Sequence, residues 1–386
     1  MLSRIGSSDT QLNGGIMAIS GYDDPQRFRF AGAMEGVPEP EAARVLPGIA
    51  LAALLALLAV AASEWIGISW LGFAQSPVPP ALVAIGLGLL IRNALGLPGH
   101  YDAGLRFCVQ RVLRVGVALL GLRLSLAAVG GIGLKALPIV AACIATALAL
   151  VALVTRALGL PARLGTLIAV GTAICGNSAI AATGPAIGAK DDEVSYAVGC
   201  VTLFGLFALI VYPFAARWLF AGDPQLAGLF LGAAIHDTAQ VAGAGMLAAQ
   251  HMGDPTVLET AAVTKLLRNA FMIVVVPGAA WWHQRGAASR ARMSVRFTQA
   301  VPWFVIGFLA LALIRTLADV YGVALAQRAI QSALPVSAAC LAVAMAAIGL
   351  GTNLRKLRGL GLRPLAVGFA AALTTGAVAT ALIELL

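Results

Sequence analysis

The side chains best suited to chemistry fall in three short stretches. "AICGNSAIAA", Ala173 to Ala182, sets Cys175, Gly176, Asn177 and Ser178 inside an apolar run. "AIHDTAQVAG", Ala234 to Gly243, comes 61 positions later and holds His236, Asp237, Thr238 and Gln240. "TKLLRN" carries Lys265 and Arg268 three residues apart, hence on one helical face. Asn177 and Ser178 are natural N-caps, and the first amides of a helix carry partial positive charge, which suits a small oxyanion. Gln240 adds another donor. Lys265 and Arg268 are expected either to face such an anion, for which arginine's planar fork is well shaped, or to pair with Asp237 and Glu259. His236 beside Asp237 suits proton coupling, because imidazole titrates near neutral pH.

Each stretch has a plainer explanation. A capped glycine kink accounts for one break as well as a binding site does, and a lone histidine is more often a packing residue. Two matched breaks, one with a carboxylate, favour function. "KDDEV" from Lys190 reads as a solvated turn with acids at a helix start, with a vestibule role for Glu193 as the alternative. Cys108, Cys143, Cys175, Cys200 and Cys340 are scattered without metal-ligand spacing and read as small core residues, Cys175 alone standing at a break. With no Ser-His-Asp order, phosphate loop or paired carboxylates, no catalytic residue, metal or cofactor is expected.

The elements that position these residues must be membrane helices. The 386-residue chain is 60% hydrophobic and 11% charged, too apolar for a soluble domain. At roughly 20 apolar residues per crossing, about eleven segments emerge: 45–66, 78–94, 107–128, 136–157, 164–188, 194–218, 226–250, 257–281, 300–320, 332–352 and 364–385. The expected fold is all-α and polytopic, with about 9–11 transmembrane helices and two segments that are broken or re-entrant. Residues 1–44 are expected to form a poorly ordered cytoplasmic tail and 45–386 the transmembrane domain. The net charge of +9 fits basic cytoplasmic loops better than nucleic-acid binding, since no basic run is interleaved with aromatics. The basic clusters at Arg92 to Arg114, Arg156 and Arg163, 283–296 and 353–363 fall on one side if the N-terminus is inside, and Trp281 and Trp282 suit an interfacial belt.

Two internal echoes suggest a repeat. "GLRLSLAAVGGIGLKALP" from Gly121 resembles "GLGTNLRKLRGLGLRPLA" from Gly349, an offset of 228, and Gly171, Ala173 and Ile174 match Gly232, Ala234 and Ile235. If the interrupted segments are re-entrant hairpins, both echoes become inverted, as is common in transporters.

"GTAICGNSAIAATGPAIGAKDDEVSYAV", "GAAIHDTAQVAGAG" and "AVTKLLRN" together resemble the YeiH-type family of bacterial inner-membrane proteins, often labelled sulfate exporters. The resemblance covers the chain from about residue 45 and implies an inner-membrane transporter related to cation/proton antiporters and bile-acid symporters. Its matched positions are Cys175, Gly176, Asn177, Ser178, His236, Asp237, Gln240, Lys265 and Arg268. The expected function is secondary transport, by export, of sulfate, sulfite or an organosulfur oxyanion. The expected partners are that anion and the bilayer, with a second copy of the chain as a candidate. A cation/proton antiporter using Asp237, and a membrane sensor or scaffold without transport, remain as alternatives.

Overall fold

The computed structural model describes residues 41–70, 80–284, 303–322, 324–354 and 362–385. Most of the expected tail, and most of the basic loops at 283–296 and 353–363, lie outside them. The described chain is helical with no strand, and seven of its helices are long and apolar enough to cross a membrane. In order, the helices are α1 (Glu41–Glu64), α2 (Pro80–Leu90), α3 (Asp102–Phe107), α4 (Leu113–Leu119), α5 (Leu126–Ala157), α6 (Ala162–Ala173), α7 (Asn177–Ile187) and α8 (Asp191–Leu219). They continue as α9 (Pro224–Ala234), α10 (Thr238–Met252), α11 (Thr256–Ala270), α12 (Met272–Gln284), α13 (Trp303–Tyr321), α14 (Ala324–Gly351) and α15 (Leu362–Ile383).

The segments expected at 107–128 and 136–157 divide elsewhere. A π-helical turn at Cys108–Val112 and a 3-10 turn at Leu120–Arg123 carry the first one to Arg123. Helix α5 then starts at Leu126, because the Ser125 hydroxyl accepts the Ala128 N–H at 3.2 Å and caps it. Gly130, Gly131 and Gly133, which look like a boundary in sequence, lie inside this 32-residue helix.

Contacts along α11 show what the second interrupted segment does. Gly228 packs on Val257 and Thr260, and Gly232 on Ala261 and Thr264, so α9 runs parallel to α11. Thr238 meets Asn269 while Gly245 meets Leu258, so α10 runs antiparallel to the same helix. The segment therefore folds back on itself as a re-entrant hairpin. Its tip, Ile235–Asp237, lies level with Lys265 and Arg268, about halfway along the continuous α11–α12 span.

The first interrupted segment enters from the opposite face. Thr166, near the start of α6, lies 2.8 Å from His283 at the far end of α12, whereas Thr172 and Ala173 reach Arg268. Helix α7 then returns along α12, with Ile180 against Gly171. Two hairpins thus dip from opposite sides and meet tip to tip, and the choice between broken and re-entrant segments falls to re-entrant.

The inversion extends to the scaffold. Helix α15 runs parallel to α8, since Gly368 lies on Cys200 and Phe204 and Tyr212 donates to the Ala372 carbonyl, while α5 runs the other way into α6 through Thr155 and Gly165. In the two copies of the 228-residue echo, Gly121 packs on the Phe308 carbonyl of α13 and Gly349 on the Ile85 carbonyl of α2. Between helices in lipid the hydrophobic effect gives little attraction, so close approach of small residues carries the packing. Gly48 against Gly104 and Gly88 against Gly349 are such contacts.

Candidate functional site at the hairpin tips

A half-helix ending at mid-depth leaves carbonyls that hydrocarbon cannot satisfy. Arg268, fully buried, takes those of both hairpins. Its Nε donates to Ala173 O at 2.7 Å, its Nη2 to Thr172 O, and its Nη1 to Ala233 O and, at 3.2 Å, to Ile235 O. Lys265 lies one turn earlier on α11 and is also buried. Its Nζ donates to Ile174 O at 2.7 Å, Ile235 O at 2.8 Å and His236 O, which uses all three of its protons. Both cations therefore sit at the negative ends of α6 and α9, where the helix dipole favours them. This corrects the expectation that they pair with Asp237 and Glu259. Glu259 instead lies 3.6 Å from Arg123, and the cations' hydrogen bonds go to backbone.

The positive ends are held by Asp237. Its Oδ1 accepts the Ala239 N–H at 2.8 Å, capping α10, while its Oδ2 stands against Gly176 at the start of α7. One acid thus lies at the N-termini of both hairpins' second legs. Gln240 completes a capping box. Its Oε1 accepts the Asp237 N–H at 3.2 Å and its Nε2 donates to Thr202 O at 3.3 Å, so this side chain is buried in structure-bearing bonds.

The sequence expectation of Asn177 or Ser178 as N-cap is also corrected. Gly176 occupies that place with φ of 67°, a conformation that side chains strain to adopt, and Asn177 is the first helical residue. A β-carbon at Gly176 would stand 2.8 Å from Asp237 Oδ2. Gly176→Ala is accordingly expected to cost about 2 kcal/mol or more, read as a lowered Tm of the purified protein; an unchanged Tm would contradict this packing.

Asn177 and Ser178 are exposed on one side of α7 together with Ala181 and Ala182. The Asn177 amide lies 3.5 Å from the Thr202 hydroxyl. Cys175 points away from that side, buried with its sulfur 3.8 Å from Met272 Sδ, which is the packing role. His236 is buried with neither ring nitrogen in a well-formed hydrogen bond, beside the Thr172 backbone. Asn269 donates to the Thr238 hydroxyl at 3.2 Å. Lys190 and Glu193 form the expected polar helix start, the Lys190 N–H bonding Glu193 Oε2 at 2.8 Å.

Sequence reading passed over Arg114 as one member of a basic cluster. It stands partly buried on α4, its guanidinium 5.6 Å from the centre of the Phe304 ring. It is close enough to Asp237 for the two charges to interact. The available signal was its position inside the apolar segment 107–128.

Comparison with known proteins places this architecture. The family model described as "Conserved hypothetical protein 698" matches residues 47–368. The chain belongs to this family. Its relatives include a UPF0324 membrane protein of Agrobacterium fabrum, 32% identical over 318 residues, which covers 81% of this chain and 85% of the relative. Another, from Pseudomonas aeruginosa, is 32% identical over 338 residues, covering 85% and 90%. A third, from Streptococcus pyogenes, is 34% identical over 317 residues, covering 81% and 89%. All three are described as membrane proteins, and with its seven apolar helices this chain is a multi-pass one, both hairpins lying within the stretch that the family model matches.

Proposed function

We propose that the protein is a secondary transporter of a small anion, binding sulfate, sulfite or an organosulfur oxyanion where the two hairpin tips meet. The observation that carries the reading is the pair of oppositely entering hairpins with half-helix N-termini facing each other at mid-depth. Asn177, Ser178 and the first amides of α7 supply donors on the exposed side. Asp237, bonded by the Ala239 amide and placed beside the start of α7, is the proton-coupling group. Protonation weakens its hold and frees the positive end of α7 for the anion. His236 stands next to it as the relay. Lys265 and Arg268 contribute long-range positive charge and fix the tips, Gln240 holds Asp237's backbone, and Cys175 and Gly176 shape the turn.

Translocation would move the two hairpins with α8 and α11–α12 against the outer helices. The basic clusters Arg92, Arg106, Arg156 and Arg163, with the start of α1, support a cytoplasmic N-terminus in the bacterial inner membrane, and the reading takes transport to run outward.

The test is flux into proteoliposomes of purified protein. Labelled sulfate, sulfite or a small organosulfonate should move at a rate set by the pH gradient; flux equal to that of empty liposomes for all three would end this reading. Arg114 supplies a second prediction. Arg114→Gln should weaken anion binding about ten-fold while leaving Tm nearly unchanged, as measured by anion-dependent thermal shift. Equal shifts in the variant and wild type would remove Arg114 from the site.

A cation/proton antiporter is the second reading, favoured by the one carboxylate at the tips, which is bonded to amides rather than to Lys265. Sodium-for-proton exchange insensitive to sulfate and sulfite would select it.

A further inference from the structure

Where half-helices end at mid-membrane, their last carbonyls form a ligand set for a small cation, and transporters of this build commonly place a coupling ion there. Here that set is Ile174 O from the first hairpin with Ile235 O and His236 O from the second, gathered around a single point. The point is filled by the ammonium of Lys265, at 2.7 Å from Ile174 O and 2.8 Å from Ile235 O. A primary ammonium has the charge of a monovalent cation and three donors for three carbonyls. It is tethered to α11, which packs along both legs of the second hairpin and so cannot leave the tips as a free ion would.

Lys265 differs in this from Arg268, whose three nitrogens spread over four carbonyls rather than gathering them on one atom. It differs also from a paired lysine, since no acid lies within ion-pair distance of it among the described residues. Its charge is balanced by helix ends and, at longer range, by Asp237.

We infer that the hairpin tips form a monovalent-cation site permanently occupied by the Lys265 ammonium, so that the protein carries its own cation and requires no external sodium or potassium to hold the tips together. The inference deepens the transport reading and rests on it for the flux measurement. Its binding measurement stands apart.

The test has two arms. In the first, Lys265→Ala is purified and melted in ammonium, methylammonium, sodium or choline chloride at equal ionic strength. Ammonium and methylammonium, which refill the carbonyl cage, should raise the Tm of the variant by several degrees over choline, and should leave wild type unmoved. A variant that responds to none of the small cations more than to choline overturns the inference. In the second arm, wild-type proteoliposomes carry sulfite with choline as the only external cation. Flux within two-fold of that in sodium is expected, whereas a ten-fold loss without sodium overturns the inference even if the variant cannot be purified. If wild type moves none of sulfate, sulfite and the organosulfonate in any medium, the transport reading fails, and the first arm still decides the cage.

Discussion

Arg268→Met should yield no monodisperse protein after extraction in mild detergent, or a Tm lowered by about 10 °C or more. One guanidinium binds carbonyls of Thr172, Ala173, Ala233 and Ile235, which belong to two hairpins that enter from opposite faces. Removing it leaves the Thr172, Ala173 and Ala233 carbonyls buried without this donor, at roughly 1–3 kcal/mol each, while Ile235 O keeps Lys265. Against a total stability of about 5–15 kcal/mol, that is a large fraction. Arg268→Lys should rescue little, because a point ammonium cannot span carbonyls that a planar fork reaches. The measurement is size-exclusion profile together with thermal melt. A methionine variant that melts within about 2 °C of wild type would show that the tips hold without the clamp.

Asp237→Asn should leave a folded protein whose flux no longer follows the pH gradient, with a loss of transport of about 100-fold. Asparagine is a good N-cap and can still accept the Ala239 N–H, so the α10 start survives. What disappears is the negative charge at the two half-helix N-termini, and with it the group that gains and loses a proton. The contrast with Asp237→Ala separates the roles. Alanine removes the cap as well and should lower Tm by an amount corresponding to about 1–2 kcal/mol. Sulfite flux in Asp237→Asn that retains wild-type dependence on the pH gradient would move the coupling role to another residue, His236 being the first to test.

The helical fold was legible because apolar runs of membrane length mark themselves, and the two polar interruptions stood out against them. Re-entry was legible only conditionally. Re-entry would make both echoes inverted, but the deciding contacts, Gly228 to Thr260 and Gly245 to Leu258, are meetings between helices that no spacing in the chain reveals. At the site, Lys265 and Arg268 were identifiable as intramembrane cations, yet neither alternative read for them, an acid partner or a substrate anion, included the carbonyls that they bind. The true acceptors are backbone oxygens, which every residue possesses and which therefore leave no trace in composition. The N-cap fell to Gly176 instead of Asn177 for a related reason, since the turn takes a positive φ and Asp237 of the other hairpin leaves no room for a side chain there. Local rules read a helix start from its own neighbours, and here the other hairpin shapes it.

The reach of the clamp also bears on the order in which the chain can be inserted. Thr172, Ala173 and Ile174 precede their partners by 96, 95 and 91 residues. Until α11 has left the ribosome, the first hairpin carries carbonyls with no donor, and lipid will not accept them at mid-depth. The hairpin must therefore wait at the membrane surface or in the shelter of the insertion machinery while α8, α9 and α10 are made. A nascent chain stopped before Thr256 should leave Cys175 open to a water-soluble thiol reagent, and one extended far enough past Asn269 for α11 to clear the ribosome should close it.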